Sequence, residues 1–222
     1  MPRAKKRDEA VSEKKMKKVA RKVVEKELDR NIEIKKTEII SNINPGTAAT
    51  NSSGSIISLS SLITQGDDSA QRIGNKIKIV SYKSRMYLRP QVNYTTDPTY
   101  VRAILFRDKT KSATLPTVGD LLNPPVTNLS FLTVEALQSK RFEILYDKLL
   151  TLDPLGGAAG TFYTTQTYQS IKRNFKMKNK FAEFTDAGGA YSGQLYYLII
   201  SNLPTANSPG ITFRDEIQWQ DA

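Results

Sequence analysis

Cysteine and histidine are both absent from this 222-residue chain. Without cysteine there is no disulfide framework, no thiolate metal site and no thiol nucleophile. Without histidine the commonest general base and metal ligand are gone, which excludes Ser-His-Asp catalysis and His-ligated zinc. Any metal site must use oxygen ligands, which points to calcium or magnesium. No apolar run approaches the ~18 residues of a membrane-spanning helix. The N-terminus is basic and lacks an apolar core, so no secretory signal is expected. What is present is ordinary for a soluble protein: 39% hydrophobic and 25% charged residues, long enough for one large domain or two small ones.

The net charge is +11, and it is unevenly placed. Residues 1–22 hold ten Lys/Arg against three Asp/Glu, a net of +7, which leaves +4 for the other 200 residues. The cations are Arg3, Lys5, Lys6, Arg7, Lys14, Lys15, Lys17, Lys18, Arg21 and Lys22. A near-neutral body with a basic arm suits a polyanion, most often nucleic acid. Residues 1–10 lack helical periodicity and are expected to be disordered. Residues 11–36 contain no Gly or Pro and read as helix. Met16, Val19 and Val23, continued by Val24 and Leu28, form an apolar stripe too narrow to hold a helix alone, so it calls for a partner. Residues 41–58, rich in Ser, Asn, Gly and Thr, read as a linker between the arm at 1–40 and a body at 59–222.

The body is rich in Val, Ile, Thr, Tyr and Phe and is punctuated by Gly, Pro and Asn. Strands are expected at 76–89, 100–107, 141–152, 169–184, 194–202 and 211–219, with short helices at 117–122 and 133–138 inside one long connection. In the first strand Val80, Tyr82, Met86 and Leu88 should face the core. Ile77 and Ile79 are out of phase with them, which predicts a bulge. In the fourth, Ile171, Phe175, Met177 and Phe181 share one face and Lys172, Lys176, Lys178 and Lys180 the other. The run at 194–200 is apolar on both faces, so it should be covered twice, by the core and by a neighbouring subunit. This pattern predicts an all-β sandwich or barrel, most simply a jelly roll.

Few motifs carry chemistry. Gly156–Gly160 lacks the Lys-Ser/Thr ending of a phosphate-binding loop and reads as a flexible loop. Gly188-Gly189 reads as a turn. Asn51, Asn93 and Asn128 each open an Asn-X-Ser/Thr triplet, but with no secretory signal these read as chance matches. Asp67-Asp68 admits two readings, a turn or cap, and calcium shared between subunits. Lys83, Arg85 and Arg89, with Tyr87 among them, share one strand face. They read either as a solvated face or as a single-stranded nucleic-acid contact, where cations meet phosphate and a ring stacks on a base.

The segment QGDDSAQRIGNKIKIVSYK at 65–83 resembles the coat proteins of the satellite necrosis viruses of plants. The resemblance continues at 104–123 (ILFRDKTKSATLPTVGDLLN), at 137–147 (LQSKRFEILYD) and at Asp221-Ala222. Capsid proteins of small circular single-stranded DNA viruses are similar to this type. The resemblance implies a single eight-stranded jelly-roll sandwich with a basic N-terminal helical arm, and with 65–75 leading into its first strand. It implies a T=1 icosahedral shell of about sixty copies with arms inside on the packaged genome and the Met16, Val19, Val23 stripes gathered in threes. It also implies calcium at subunit interfaces, held by Asp67 around a threefold axis and by Asp221 with the carbonyls of Ile73 and Lys76.

Three function classes follow. The first is a non-enzymatic, self-assembling capsid protein that packages a single-stranded genome, located in the virion and in the cytoplasm or nucleus of an infected cell. The second is a cellular basic-tailed nucleic-acid-binding β-sandwich protein. The third is a β-sandwich enzyme or sugar-binding protein, which the missing His and Cys weaken. An arm that reads charge is compatible with DNA and RNA alike.

Overall fold

The computed structural model describes residues 13, 15–24, 33–43, 51–89, 98–138, 141–152 and 169–222. The chain divides into two units, Met1–Ile34 and Lys35–Ala222. In the first, residues 15–24 form helix α1. Met16, Val19 and Val23 are each more than half exposed on it, and Lys15, Lys17, Lys18, Arg21 and Lys22 cover the rest. A Lys17–Glu13 ion pair at 2.6 Å spans one helical turn. Arg3, Lys5, Lys6, Arg7, Lys14 and Leu28 lie outside the described residues, as do 156–160 and Asn93.

The second unit is a two-sheet sandwich. Its strands are β1 (Lys35–Ile43), β2 (Ser55–Ser58), β3 (Lys76–Arg89), β4 (Thr99–Asp108), β5 (Phe142–Leu152), β6 (Gln169–Phe184), β7 (Ala190–Ser192), β8 (Gln194–Ser201) and β9 (Gly210–Asp221). One sheet has the order β1-β9-β3-β6-β7 and the other β2-β8-β4-β5, all antiparallel. Without the three-residue β7, the orders 1-9-3-6 and 2-8-4-5 are those of an eight-stranded jelly roll.

All six expected strands and both short helices, α2 (Val118–Leu121) and α3 (Val134–Leu137), are present within one residue or two of their expected ends. The start of the domain differs. The expected arm and linker contain β1 and β2, so the jelly roll begins at Lys35 and 65–75 leads into its third strand. The reason is packing: β1 pairs with β9 along its whole length and buries Ile39 in the core.

Between the sheets lie Ile77, Ile79, Tyr82, Met86, Leu105, Tyr197, Phe213, Ile217 and Trp219. The expected bulge is at Ile79/Ser81. It leaves Val80 half-buried and keeps Ile77 and Ile79 inward, so the core phase belongs to Ile77 and Ile79 before the bulge and to Tyr82 after it. The same irregularity reverses β6. Ala182 and Phe184 point inward, and Phe181 is displaced outward, where Lys76 lies 4.9 Å from its ring centroid.

Strand β8 is buried on both faces, and its second cover comes from its own chain. Tyr196, Leu198 and Ile200 pack with Phe106 and Phe142 beneath Leu121, Leu122 and Ala136 of the long connection. Phe106 stacks on Tyr196 at 5.4 Å and meets Phe142 edge-on at 5.6 Å. Arg102 clamps this connection down, with a two-pronged bond to Asp147 at 2.8 and 2.6 Å and another to the Ser130 carbonyl.

Candidate nucleic-acid interface

Alternation on β3 sends Tyr82, Ser84, Met86 and Leu88 into the core and Lys83, Arg85 and Tyr87 to the outer face of the five-stranded sheet. Pairing then fixes their neighbours. Arg85 lies opposite Lys172 of β6, Tyr87 opposite Ser170 and Lys83 opposite Asn174. On the other side Lys83 faces Glu216 of β9 and Tyr87 faces Thr212, which sets Arg85 level with Arg214. Arg214 in turn faces Ile40 of β1.

The result is a row of three exposed cations, Arg214–Arg85–Lys172, crossing three adjacent strands. Strands are about 4.8 Å apart, so the row spans roughly 10 Å. Tyr87, 41% exposed, sits in the next row. Among the described residues none of the three cations has a carboxylate within ion-pair distance. Like charges placed side by side across strands repel. An external polyanion relieves that repulsion, and an exposed aromatic beside the cations offers a surface for a base.

The other expected contacts divide. Lys83 is neutralised within the chain, its Nζ donating to Glu216 at 2.7 Å. That bond, with help from Gln218 and Lys36, holds the Glu216 carboxyl below the usual carboxylate range, so the pair stays charged. Arg89 is half-buried at the strand end. Arg214 was not singled out from sequence because its strand neighbours, Phe213 and Asp215, say nothing about β3. The Lys172–Lys180 row has no aromatic of its own on that strand face, and the fold supplies Tyr87 from the adjacent strand.

Two carboxylates bear on a metal. Asp67 is exposed at the tip of a loop tied by Gln71, whose amide nitrogen donates to the Asp68 carbonyl at 2.9 Å and whose side-chain oxygen accepts from the Asp68 amide at 3.2 Å. The Asp67 side chain bonds to nothing among the described residues, and within one chain those residues bring together no group of three carboxylates that could hold a metal. Asp221 differs: its carboxylate accepts from Lys35 Nζ at 2.9 Å and from the Ile73 amide at 3.1 Å.

Comparisons with known proteins bear on the family of the chain. The sequence model described as satellite tobacco necrosis virus coat protein matches residues 3–186. The capsid protein of satellite tobacco necrosis virus 1 is 35% identical over 133 residues, 60% of this chain and 63% of that protein. The coat protein of satellite tobacco necrosis virus 2 is 31% identical over 124 residues, 56% of this chain and 58% of that one. The matched stretch therefore spans about three fifths of each relative's length. Among solved structures, Desmodium yellow mottle tymovirus aligns over 85% of this chain and 89% of its own at TM-score 0.36 and 11% identity. The decameric BFDV capsid protein aligns over 85% and 96% at TM-score 0.32 and 12% identity. The family match covers most of the arm and six strands of the sandwich, and on that basis the chain belongs to the satellite tobacco necrosis virus coat protein family.

Proposed function

We propose that this capsid protein assembles into a small icosahedral shell of about sixty copies and packages a single-stranded nucleic acid. The basic arm and the outer face of the five-stranded sheet serve as its binding surfaces. The row Arg214–Arg85–Lys172, three cations without a counter-charge among the described residues, carries the reading. Self-association is supported by exposed apolar side chains between 129 and 137: Leu129, Phe131, Val134 and Leu137 are 61–83% exposed. The stripe Met16, Val19, Val23 is likewise exposed on α1 and suits a bundle of arms from several copies. The role is structural rather than catalytic. Asp67 would hold calcium shared between copies, the ion supplying charge neutralisation among converging carboxylates.

Size-exclusion chromatography with negative-stain microscopy, together with assay of nuclease-protected nucleic acid, tests the proposal. Uniform closed particles with protected nucleic acid are expected. The triple replacement Arg85→Gln, Arg214→Gln and Lys172→Gln should keep the particles and lower their content. A protein that stays monomeric or dimeric under all salt conditions, or a triple variant with full content, overturns the corresponding part.

A further inference from the structure

The expected second calcium site at Asp221 is built differently from a cation cage. Its carboxylate, together with the carbonyls of Ile73 and Lys76, would have to turn lone pairs toward a metal. Each already accepts a hydrogen from the protein. Asp221 Oδ2 takes one from Lys35 Nζ at 2.9 Å, and Oδ1 one from the Ile73 amide at 3.1 Å. The Ile73 carbonyl accepts from Gln65 Nε2 at 3.2 Å, and the Lys76 carbonyl from the Ala222 amide at 3.2 Å.

Lys35 is at the centre of this arrangement. Its side chain is only 9% exposed. Its three donor directions meet the Gln71 carbonyl at 2.8 Å, Asp221, and the Trp219 ring, whose centroid is 5.3 Å away. Arg72 is fully buried nearby, against the Phe184 ring at 4.1 Å, and bonds the Gly74 carbonyl and Asn75. Burial makes its guanidinium harder to keep charged, and the Asp221 charge acts in the opposite sense. A divalent ion here would lie beside an ammonium already bonded to one of its ligands, an arrangement that Coulomb repulsion opposes.

We propose that Lys35 is a built-in cation that replaces a metal at Asp221. Its ammonium ties together the start of β1, the 65–75 loop and the end of β9, where the arm joins the jelly roll. Of the residues in this contact, Lys35, Gln71 and Ile73 lie within residues 3–186, the stretch that matches the family, and Trp219 and Asp221 lie beyond it. It stands independently of nucleic-acid packaging, because it concerns only contacts within one subunit.

The test uses the full-length chain carrying Asp67→Asn, so that the exposed loop carboxylate does not contribute. Calcium chloride and a chelator are added separately. Melting temperature is measured, with fluorescence of Trp219, the only tryptophan, as the local reporter. Neither addition should move the melting temperature or the emission. Lys35→Met should melt roughly 3–8 °C lower and should gain a stabilising response to calcium, since it frees Asp221 to take the ion. Lys35→Arg should keep most of the stability and remain indifferent to calcium. The idea is overturned if the Lys35-containing protein responds to calcium and Asp221→Asn abolishes that response. It is also overturned if Lys35→Met melts like its parent. Should Lys35→Met fail to fold, the calcium response of the parent against Asp221→Asn still decides.

Discussion

At the scale of single residues, the core holds one feature that hydrophobic packing does not explain. Asp215 is 1% exposed and faces inward from β9. Its Oδ2 accepts from the Tyr82 hydroxyl at 2.6 Å and its Oδ1 from the Arg85 amide at 3.1 Å. Tyr197 reaches the same region through Ser84 at 2.9 Å. Burial raises the Asp215 pKa above its ordinary 3.8, and the hydrogen bonds only partly oppose that shift. The folded state therefore holds this proton more tightly than the unfolded chain. The stability contributed is complete below the unfolded pKa and is lost as pH rises through the folded one. Asp215→Asn keeps the shape and removes the charge, so stability should fall less steeply as pH rises from about 4 toward neutrality. Tyr82→Phe removes the shorter bond to the carboxylate and should cost about 1–3 kcal/mol at neutral pH. Urea unfolding across that range measures both. An unchanged slope in Asp215→Asn would show that the carboxyl titrates alike in both states.

At the scale of elements, Lys35 also explains what the sequence hides. Along β1 the positions facing the core side are Lys35, Thr37, Ile39, Ser41 and Ile43, while Lys36, Glu38, Ile40 and Asn42 face out. Period-two hydrophobicity is blurred because a lysine turns inward to meet Asp221 and an isoleucine turns outward. The segment therefore reads as the tail of a charged helix. The long strands were legible because their alternation is strong over many residues. The exchange of faces at Phe181 was not, because the bulge that causes it involves the pairing of two strands. The cation row was half legible for the same reason: Arg85 and Tyr87 share a strand, but Arg214 and Lys172 join them only through pairing. The β1 register makes a sharp prediction. Ile39, 4% exposed, and Ile40, 68% exposed, are adjacent and chemically identical. Ile39→Ala should cost about 2–4 kcal/mol, and Ile40→Ala should stay within about 0.5 kcal/mol. Equal losses in urea unfolding would contradict the strand.

At the scale of the whole chain, charge and packing are separated. The jelly roll from Lys35 onward has its own closed core, whereas residues 1–22 carry +7 of the +11 net charge. Deleting residues 2–22 should therefore leave the melting of the sandwich nearly unchanged while removing most of the affinity for nucleic acid. The reason is counterion release. Each phosphate neutralised on a single strand contributes about 0.7 to the slope of log affinity against log salt. Ten arm cations set an upper bound of about 7 on the slope the deletion removes, and Arg85, Arg214 and Lys172 account for about 2 of what remains. Binding of a single-stranded DNA oligonucleotide, measured between about 50 and 200 mM salt, resolves the two contributions. If the deleted protein keeps the full slope, the arm does not drive packaging. If the slope vanishes altogether, the sheet row makes no contact of its own, and the exposed cations on β3, β6 and β9 belong to a contact between subunits instead.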